Sequence, residues 1–262
     1  MASPLVSVLM TIYNHEQFLK DSIQSIQSQT LKNWELIAID NGSTDNSRKI
    51  LNSFKDRRIK KKYLKKNIGR TNCLNYGLKF TKGKYIAVLD SDDIAIKNRF
   101  VDQTKYFENN KEIWLLGSNS YLINEKNKIY NKRNTFRSLK NMRKLLLKNL
   151  IPHSTVMYRR ELIKRIGNYP KEYIYAQDYA FYLKTFKNYK IEILDKFLVK
   201  IRRGHEKSET FRSQRSRTLL GEELKILIWI YRNFNYNFIE LLKFLIQFSN
   251  ALLKNIIFSA KF

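Results

Sequence analysis

Short apolar runs rich in β-branched residues alternate with amphipathic stretches through the first half of the chain. Val6–Ile12, Glu35–Asp40, Ile59–Leu64 and Tyr85–Asp90 have the length and composition of strands. Between them, Glu16–Gln29, Asp45–Phe54 and Thr71–Phe80 repeat their apolar positions at helical spacing. The second helix has a clear start: Ser43 or Thr44 can cap it, and Asp45 sits at its positive end. Strand–helix alternation with short links predicts an α/β fold, a Rossmann-like, mostly parallel twisted sheet flanked by helices and joined by right-handed crossovers. A further helix over Lys97–Asn109 and a strand over Ile113–Ser118 extend it.

From about residue 120 the pattern loosens. Asn124–Arg137 is polar and basic and reads as a surface excursion, and Leu139–Leu150 reads as a basic amphipathic helix. Ser154–Tyr158 predicts a short strand, Glu161–Ile166 a helical turn stopped near Gly167, Gln177–Phe186 a helix and Ile191–Ile201 a last strand. Leu219–Tyr231 and Phe238–Phe258 are strongly apolar at helical spacing, with Glu240, Lys243 and Lys254 as sparse breaks. The chain therefore divides into a domain over 1–217 and a helical C-terminal extension over 218–262. Arg202, Arg203, Lys207, Arg212, Arg215 and Arg217 cluster just before the extension. Basic residues beside apolar helices suit an anionic membrane surface, at roughly 1 kcal/mol per residue; packing on the domain, or on a second copy in a homo-oligomer, is the other reading.

Composition sharpens this only in part. An apolar content of 43% supports a real core and excludes a disordered chain. Fifty Lys and Arg against 23 Asp and Glu leave a net charge of +27, which calls for an anionic partner: nucleic acid, membrane or a phosphorylated substrate. The abundance of Lys, Asn and Ile also follows from an AT-rich genome, which explains part of the charge. The single cysteine, Cys73, forms no disulfide within the chain and is compatible with a reducing cytoplasm. The apolar run Val6–Ile12 lacks a preceding basic segment and reads as a first strand rather than a signal peptide, and no stretch of 18 uninterrupted apolar residues is present.

Against this basic background, the strand Tyr85–Leu89 runs into Asp90-Ser91-Asp92-Asp93. A buried strand that delivers clustered acids at its carboxyl end places them where open α/β sheets bind ligands. Carboxylates so close repel one another unless a cation lies between them, and hard oxygen ligands suit Mg²⁺ or Mn²⁺. Two other turns fall on the same edge: Thr11-Ile12-Tyr13-Asn14 after the first strand, and Asp40-Asn41-Gly42-Ser43-Thr44-Asp45 after the second. A carboxylate there can accept from a base N–H or ribose hydroxyls, and an aromatic can stack on the base. Asn67-Ile68-Gly69-Arg70 follows, where Gly69 permits close backbone approach and Arg70 can meet a phosphate or the base.

Taken in order, these segments resemble the family 2 glycosyltransferases, the inverting group with the GT-A fold. The resemblance is carried by Pro4–Asn14, Ser25–Thr30, Asp40–Asp45 and Gly83–Asp93 followed by Arg99 and Gln103, and it spans about residues 4–210. It implies donor-nucleotide contacts at Thr11, Tyr13, Asp40 and Asn41, with Gly69, Arg70, Asp90 and Ser91 on the same donor site. It equates Asp90-Ser91-Asp92 with the family's Asp-any-Asp motif, with Asp92 as the direct metal ligand, Asp90 at ribose or metal, and Asp93 orienting the turn. Ala176-Gln177-Asp178-Tyr179 matches the segment that supplies the catalytic base: Asp178 keeps the Asp, while Gln177 departs from the usual Glu. His153 falls near the expected active-site floor, and Arg203-Gly204-His205 resembles the closing Arg-x-His segment, which places His205 near metal or diphosphate.

The expected activity is transfer of a sugar, with inversion, from a nucleotide-sugar donor (a UDP-sugar by default) to a hydroxyl of a glycan or lipid-linked acceptor. Asp178 is the expected general base and Mn²⁺ or Mg²⁺ the cofactor. A bacterial surface polysaccharide is the expected setting, with the enzyme cytoplasmic and peripheral on the inner face of the membrane. Two rivals stand beside this. A basic nucleic-acid-binding protein has no need for Asp90, Asp92 and Asp178, whose charge repels phosphate, so no specific nucleic-acid partner is expected. An inactive scaffold of the same fold has no need to keep both acidic turns and Asp178.

Overall fold

The computed structural model describes residues 3–204, 217–235, 240 and 242–250. Nine strands form one mixed sheet. β1 (Val6–Ile12), β2 (Trp34–Asp40), β3 (Ile59–Tyr63) and β4 (Tyr85–Val88) lie in the order β3-β2-β1-β4, all parallel. Beyond β4 the sheet continues through β8 (Met157–Arg159), β6 (Ile113–Ile123), β9 (Lys190–Arg202) and β5 (Ile94–Ala95), with β7 (Ile129–Arg133) paired to β6. β8 runs antiparallel to both neighbours, β5 and β7 run antiparallel to theirs, and β9 returns parallel to β6.

Alternation along each strand builds two cores. Leu9, Ile37, Ile39, Ile86 and Val88 face α3 (Arg70–Leu78), α7 (Gln177–Asn188) and α8 (Arg217–Asn233). Val8, Met10, Leu36, Ala38, Tyr85 and Ala87 face α1 (Leu19–Gln27), α2 (Ser47–Ser53) and α4 (Arg99–Asn109). Gly77 lets α3 sit close on the first face, since a Cβ there would lie 2.5 Å from Leu9 and Ile39. Cys73 is buried on the same helix, and burial pushes its thiol up to about 12. Two short helices, α5 (Thr135–Ser138) and α6 (Leu162–Ile166), lie between β7 and α7.

Four departures from the sequence pattern have local causes. α1 begins at Leu19 rather than Glu16, because Glu16 is taken by the second turn: its amide donates to Asp45, and its carboxylate accepts from Asn46. β4 ends at Val88 because Asp90–Asp93 closes a turn, with the Asp93 amide donating to the Asp90 carbonyl. The excursion after residue 123 is a hairpin whose strand β7 is exposed along most of its length, Ile129 and Tyr130 included. Leu139–Leu150 is not a continuous helix but one 3₁₀ stretch, Met142–Leu146. In a helix over 139–150 the Leu145 carbonyl would serve the Asn149 amide, but the Tyr179 hydroxyl takes it; Gln247 and Arg133 take the Leu147 and Leu150 carbonyls, which a helix ending there would leave to outside donors.

The extension is joined to the first core. Ile226, Leu227 and Ile230 of α8 are buried there with Phe244, while Ile228, Tyr231, Leu242, Leu245 and Ile246 remain exposed. Arg143 holds Glu240 through Nε at 2.5 Å. Among the described residues, no helix is long and apolar enough to cross a membrane.

Candidate active site

A cleft of about 460 Å³ opens along the carboxyl ends of β1, β2 and β4. Of the residues singled out in the sequence, Thr11, Tyr13, Asn41, Gly69, Arg70, Asp90, Asp92, His153 and Asp178 all line it. The turns that form this edge are laced together. Asn14, in the left-handed region at φ 56°, donates its amide to Ser43 Oγ and accepts the Thr44 amide on Oδ1 at 2.8 Å. Asn41 accepts the Ile68 amide and donates to Asn67 Oδ1, which also receives the Gly69 amide. Gly42 makes this join possible, with φ 74° and the Lys66 backbone 2.6 Å from where a Cβ would stand.

Asp40 is fully buried one residue behind the wall formed by Asn41. Its carboxylate accepts Arg48 Nε at 2.8 Å and the Ser43 amide at 3.1 Å. Ser91 is likewise buried, and its hydroxyl meets His15 Nδ1 at 2.7 Å. His205 lies outside the described residues, as do Lys207, Arg212 and Arg215.

The acidic turn is braced from beneath. Asp90, Asp92 and Asp93 bring carboxylate oxygens within 4.8 Å of one another. Burial and the charges of Asp92 and Asp90 hold the Asp93 carboxyl well above the usual carboxylate range. Arg202 is buried under this turn: its amide donates to Asp93 Oδ1, and its guanidinium donates to the carbonyls of Asp92, Asn124 and Glu125 and to Asn127 Oδ1. It therefore clamps the acidic turn to the hairpin loop between β6 and β7. Arg99, also buried, donates to the Val88 and Val156 carbonyls and to Gln103 Oε1. The sequence pairing of Arg99 with Gln103 is thus a scaffold for the end of β4 rather than a ligand contact.

Arg70 ties the donor side to the far wall. One guanidinium nitrogen donates to Asp90 at 2.6 Å and to His153 Nδ1 at 2.9 Å. With Nδ1 accepting, the ring carries its proton on Nε2, 3.1 Å from the Tyr169 hydroxyl. Burial and the Arg70 charge push His153 down to about 3, so this imidazole is neutral. Gln177, with its amide turned to satisfy the groups around it, accepts Arg70 Nε at 3.1 Å and donates to the Ile174 and Tyr175 carbonyls.

Asp178 stands in the first turn of α7 and lines the cleft. Withdrawal from water pushes its carboxyl up to about 6, against the opposing effect of the Tyr179 amide, Arg70 and Asn149. The Tyr179 amide donates to Oδ1 at 2.6 Å and Asn149 Nδ2 to Oδ2 at 3.2 Å. A carboxyl so poised exchanges a proton near neutral pH. Asn149, Arg133 and His15 reach the cleft although nothing in the local sequence pattern marks them. Their contacts are long-range, and only a motif match would have flagged them.

The donor set is chemically suited to a hard divalent cation: oxygen-only ligands, massed negative charge and a rigid turn. The model of glycosyl transferase family 2 matches residues 7–167. An uncharacterized glycosyltransferase of Methanocaldococcus jannaschii is 37% identical over 209 residues, 77% of this chain and 72% of that protein. The Escherichia coli UDP-Glc:alpha-D-GlcNAc-diphosphoundecaprenol beta-1,3-glucosyltransferase WfgD is 34% identical over 194 residues, 73% of each chain. Among solved structures, Staphylococcus aureus TarS 1–349 in complex with UDP-GlcNAc superposes with a TM-score of 0.72 at 22% identity, covering 94% of this chain and 72% of that one. The mannosyltransferase PcManGT of Pyrobaculum calidifontis, in complex with GDP-Man and Mn²⁺, superposes with a TM-score of 0.66 at 14% identity, covering 98% and 76%.

Proposed function

The chain belongs to glycosyl transferase family 2 and has its GT-A fold, and from that premise we propose that it moves a sugar from a nucleotide-sugar donor to an acceptor hydroxyl with inversion. One observation carries the reading: a carboxyl raised to about 6, Asp178, faces the same cleft as the Asp90-Ser91-Asp92 turn. A UDP-sugar is the favoured donor, in line with the donor named for the E. coli relative.

In this reading Thr11, Tyr13 and Asn41, backed by Asp40, receive the base and ribose, and Gly69, Arg70 and Ser91 frame the rest of the donor. Asp92 and Asp90 would hold Mn²⁺ or Mg²⁺, which when bound supplies Lewis-acid neutralisation of the leaving diphosphate. Asp178 takes the proton of the acceptor hydroxyl as that oxygen bonds to the anomeric carbon. The bond from that carbon to the diphosphate oxygen breaks on the opposite face, so the configuration inverts and no sugar–enzyme bond forms. Arg70, fixed by Asp90, His153 and Gln177, adds positive charge beside the donor without reorganising. The acceptor is a glycan or lipid-linked sugar, in keeping with the diphosphoundecaprenol-linked acceptor named for the E. coli relative. The exposed apolar residues of the extension would rest on the cytoplasmic face of the membrane.

Calorimetric titration of UDP and GDP, with and without Mn²⁺, on wild type and Asp92→Asn tests this. The expected result is metal-dependent binding of one nucleotide, lost in the variant. Folded protein that binds neither nucleotide under any condition would overturn the reading.

A further inference from the structure

Glu222 is a carboxylate on α8, only 3% exposed, far in sequence from every motif above and outside the residues matched by the family model. It accepts three successive main-chain amides: Ile174 at 2.5 Å, Tyr175 at 3.0 Å and Ala176 at 2.9 Å. These residues enter α7, whose second residue is Asp178. A buried carboxylate that accepts several N–H groups at a helix start is held by charge-assisted bonds and by the helix dipole.

The backbone accounting of this short loop is complete on both sides. Its amides go to Glu222, while the Ile174 and Tyr175 carbonyls go to Gln177 and the Tyr173 carbonyl to Thr71. The side chains of Ile174 and Tyr175 are thereby left to the cleft, and Ile174 is 52% exposed there. An exposed isoleucine beside an aromatic thus offers the cleft an apolar surface next to Asp178, of the kind on which the apolar face of a sugar ring can rest.

We propose that Glu222 is a positioning residue: by holding 174–176, the extension's first helix sets the acceptor wall and the place of Asp178 relative to the donor site. The proposal rests on the reading that Asp178 is the base. It makes α8 part of the active site rather than an appendage, because without Glu222 three amides at the mouth of α7 lose their acceptor together.

The test uses the full chain as Glu222→Ala, Glu222→Gln and Glu222→Asp. Two quantities are followed: hydrogen exchange of the 174–176 amides, and release of nucleoside diphosphate, with water as the sugar acceptor, from UDP-glucose, UDP-N-acetylglucosamine or GDP-mannose, whichever the wild type turns over. In Glu222→Ala and Glu222→Gln, exchange at 174–176 should quicken about tenfold or more while the rest of α7 stays protected. Turnover per folded molecule should fall about 100-fold, with the donor KM within about twofold. Glu222→Asp, which keeps the charge and both acceptor oxygens, should recover part of both. Unchanged exchange, a uniform loss of protection through α7 and α8, or undiminished turnover per folded molecule would overturn the proposal. If folded wild type releases nothing from any of the three donors and also binds neither UDP nor GDP with Mn²⁺, the transferase reading fails instead, and in every case the exchange arm still decides whether Glu222 holds the loop.

Discussion

At the scale of single residues, Asp178 sets the pH response. Its carboxyl is raised from the ordinary 3.8 to about 6, so the base form gains population as pH rises through 6. Sugar transfer should therefore rise with an acid limb near pH 6 and level off above it, measured as kcat/KM against pH. The stability effect has the opposite sign: the folded chain holds this proton more tightly than the unfolded one, which favours folding below about pH 4 and loses that contribution as pH passes 6. Asp178→Asn should thus cut turnover by about 10²–10⁴-fold, while urea unfolding at pH 7.5 shows no loss of stability. Gln177 carries a second residue-level consequence. A glutamine there donates to two carbonyls and accepts from Arg70, whereas a glutamate could not donate to those carbonyls. Gln177→Glu should destabilise the chain by about 1–3 kcal/mol, read by the urea midpoint, although glutamate resembles the family habit more closely.

At the scale of elements, the legible parts were those whose register is decided locally. β1 has the bounds its apolar run predicts, β2 and β3 lie within one residue of theirs and α3 and α4 within two, because burial holds their registers. The illegible parts are made by distant partners. Two-residue β5 exists only by pairing with β9, and β7, exposed along most of its length, is held as a strand by the ladder that β6 supplies. Leu139–Leu150 had helical periodicity, yet only Met142–Leu146 winds, as a 3₁₀ stretch, and the distant Tyr179 hydroxyl takes the Leu145 carbonyl. The site divides in the same way: the acidic turn and Asp178 could be read from motifs, while Asn149, Arg133 and Glu222 could not. One such long-range join is testable. Asn75 of α3 accepts the Tyr169 amide at 3.1 Å and donates to the Tyr169 carbonyl at 2.8 Å, both buried. Asn75→Ala strands both groups and should cost about 2–4 kcal/mol in chemical denaturation.

At the scale of the whole molecule, a net charge of +27 must act together with the exposed apolar residues of the extension. If the protein rests on lipid, both contributions should be separable. Co-sedimentation with vesicles containing anionic phospholipid should weaken as salt is raised from 0.05 to 0.5 M (an about threefold shorter Debye length). A salt-resistant fraction should then disappear when Leu242, Leu245 and Ile246 are changed together to serine. Cys73 has a different and practical consequence. It is the chain's single thiol, it is buried against the sheet, and its thiolate is scarce at any ordinary pH. A cysteine introduced on the surface can therefore carry a fluorophore or spin label with the native background silent, so distances between α8 and the cleft can be followed during turnover without first removing a residue from the core.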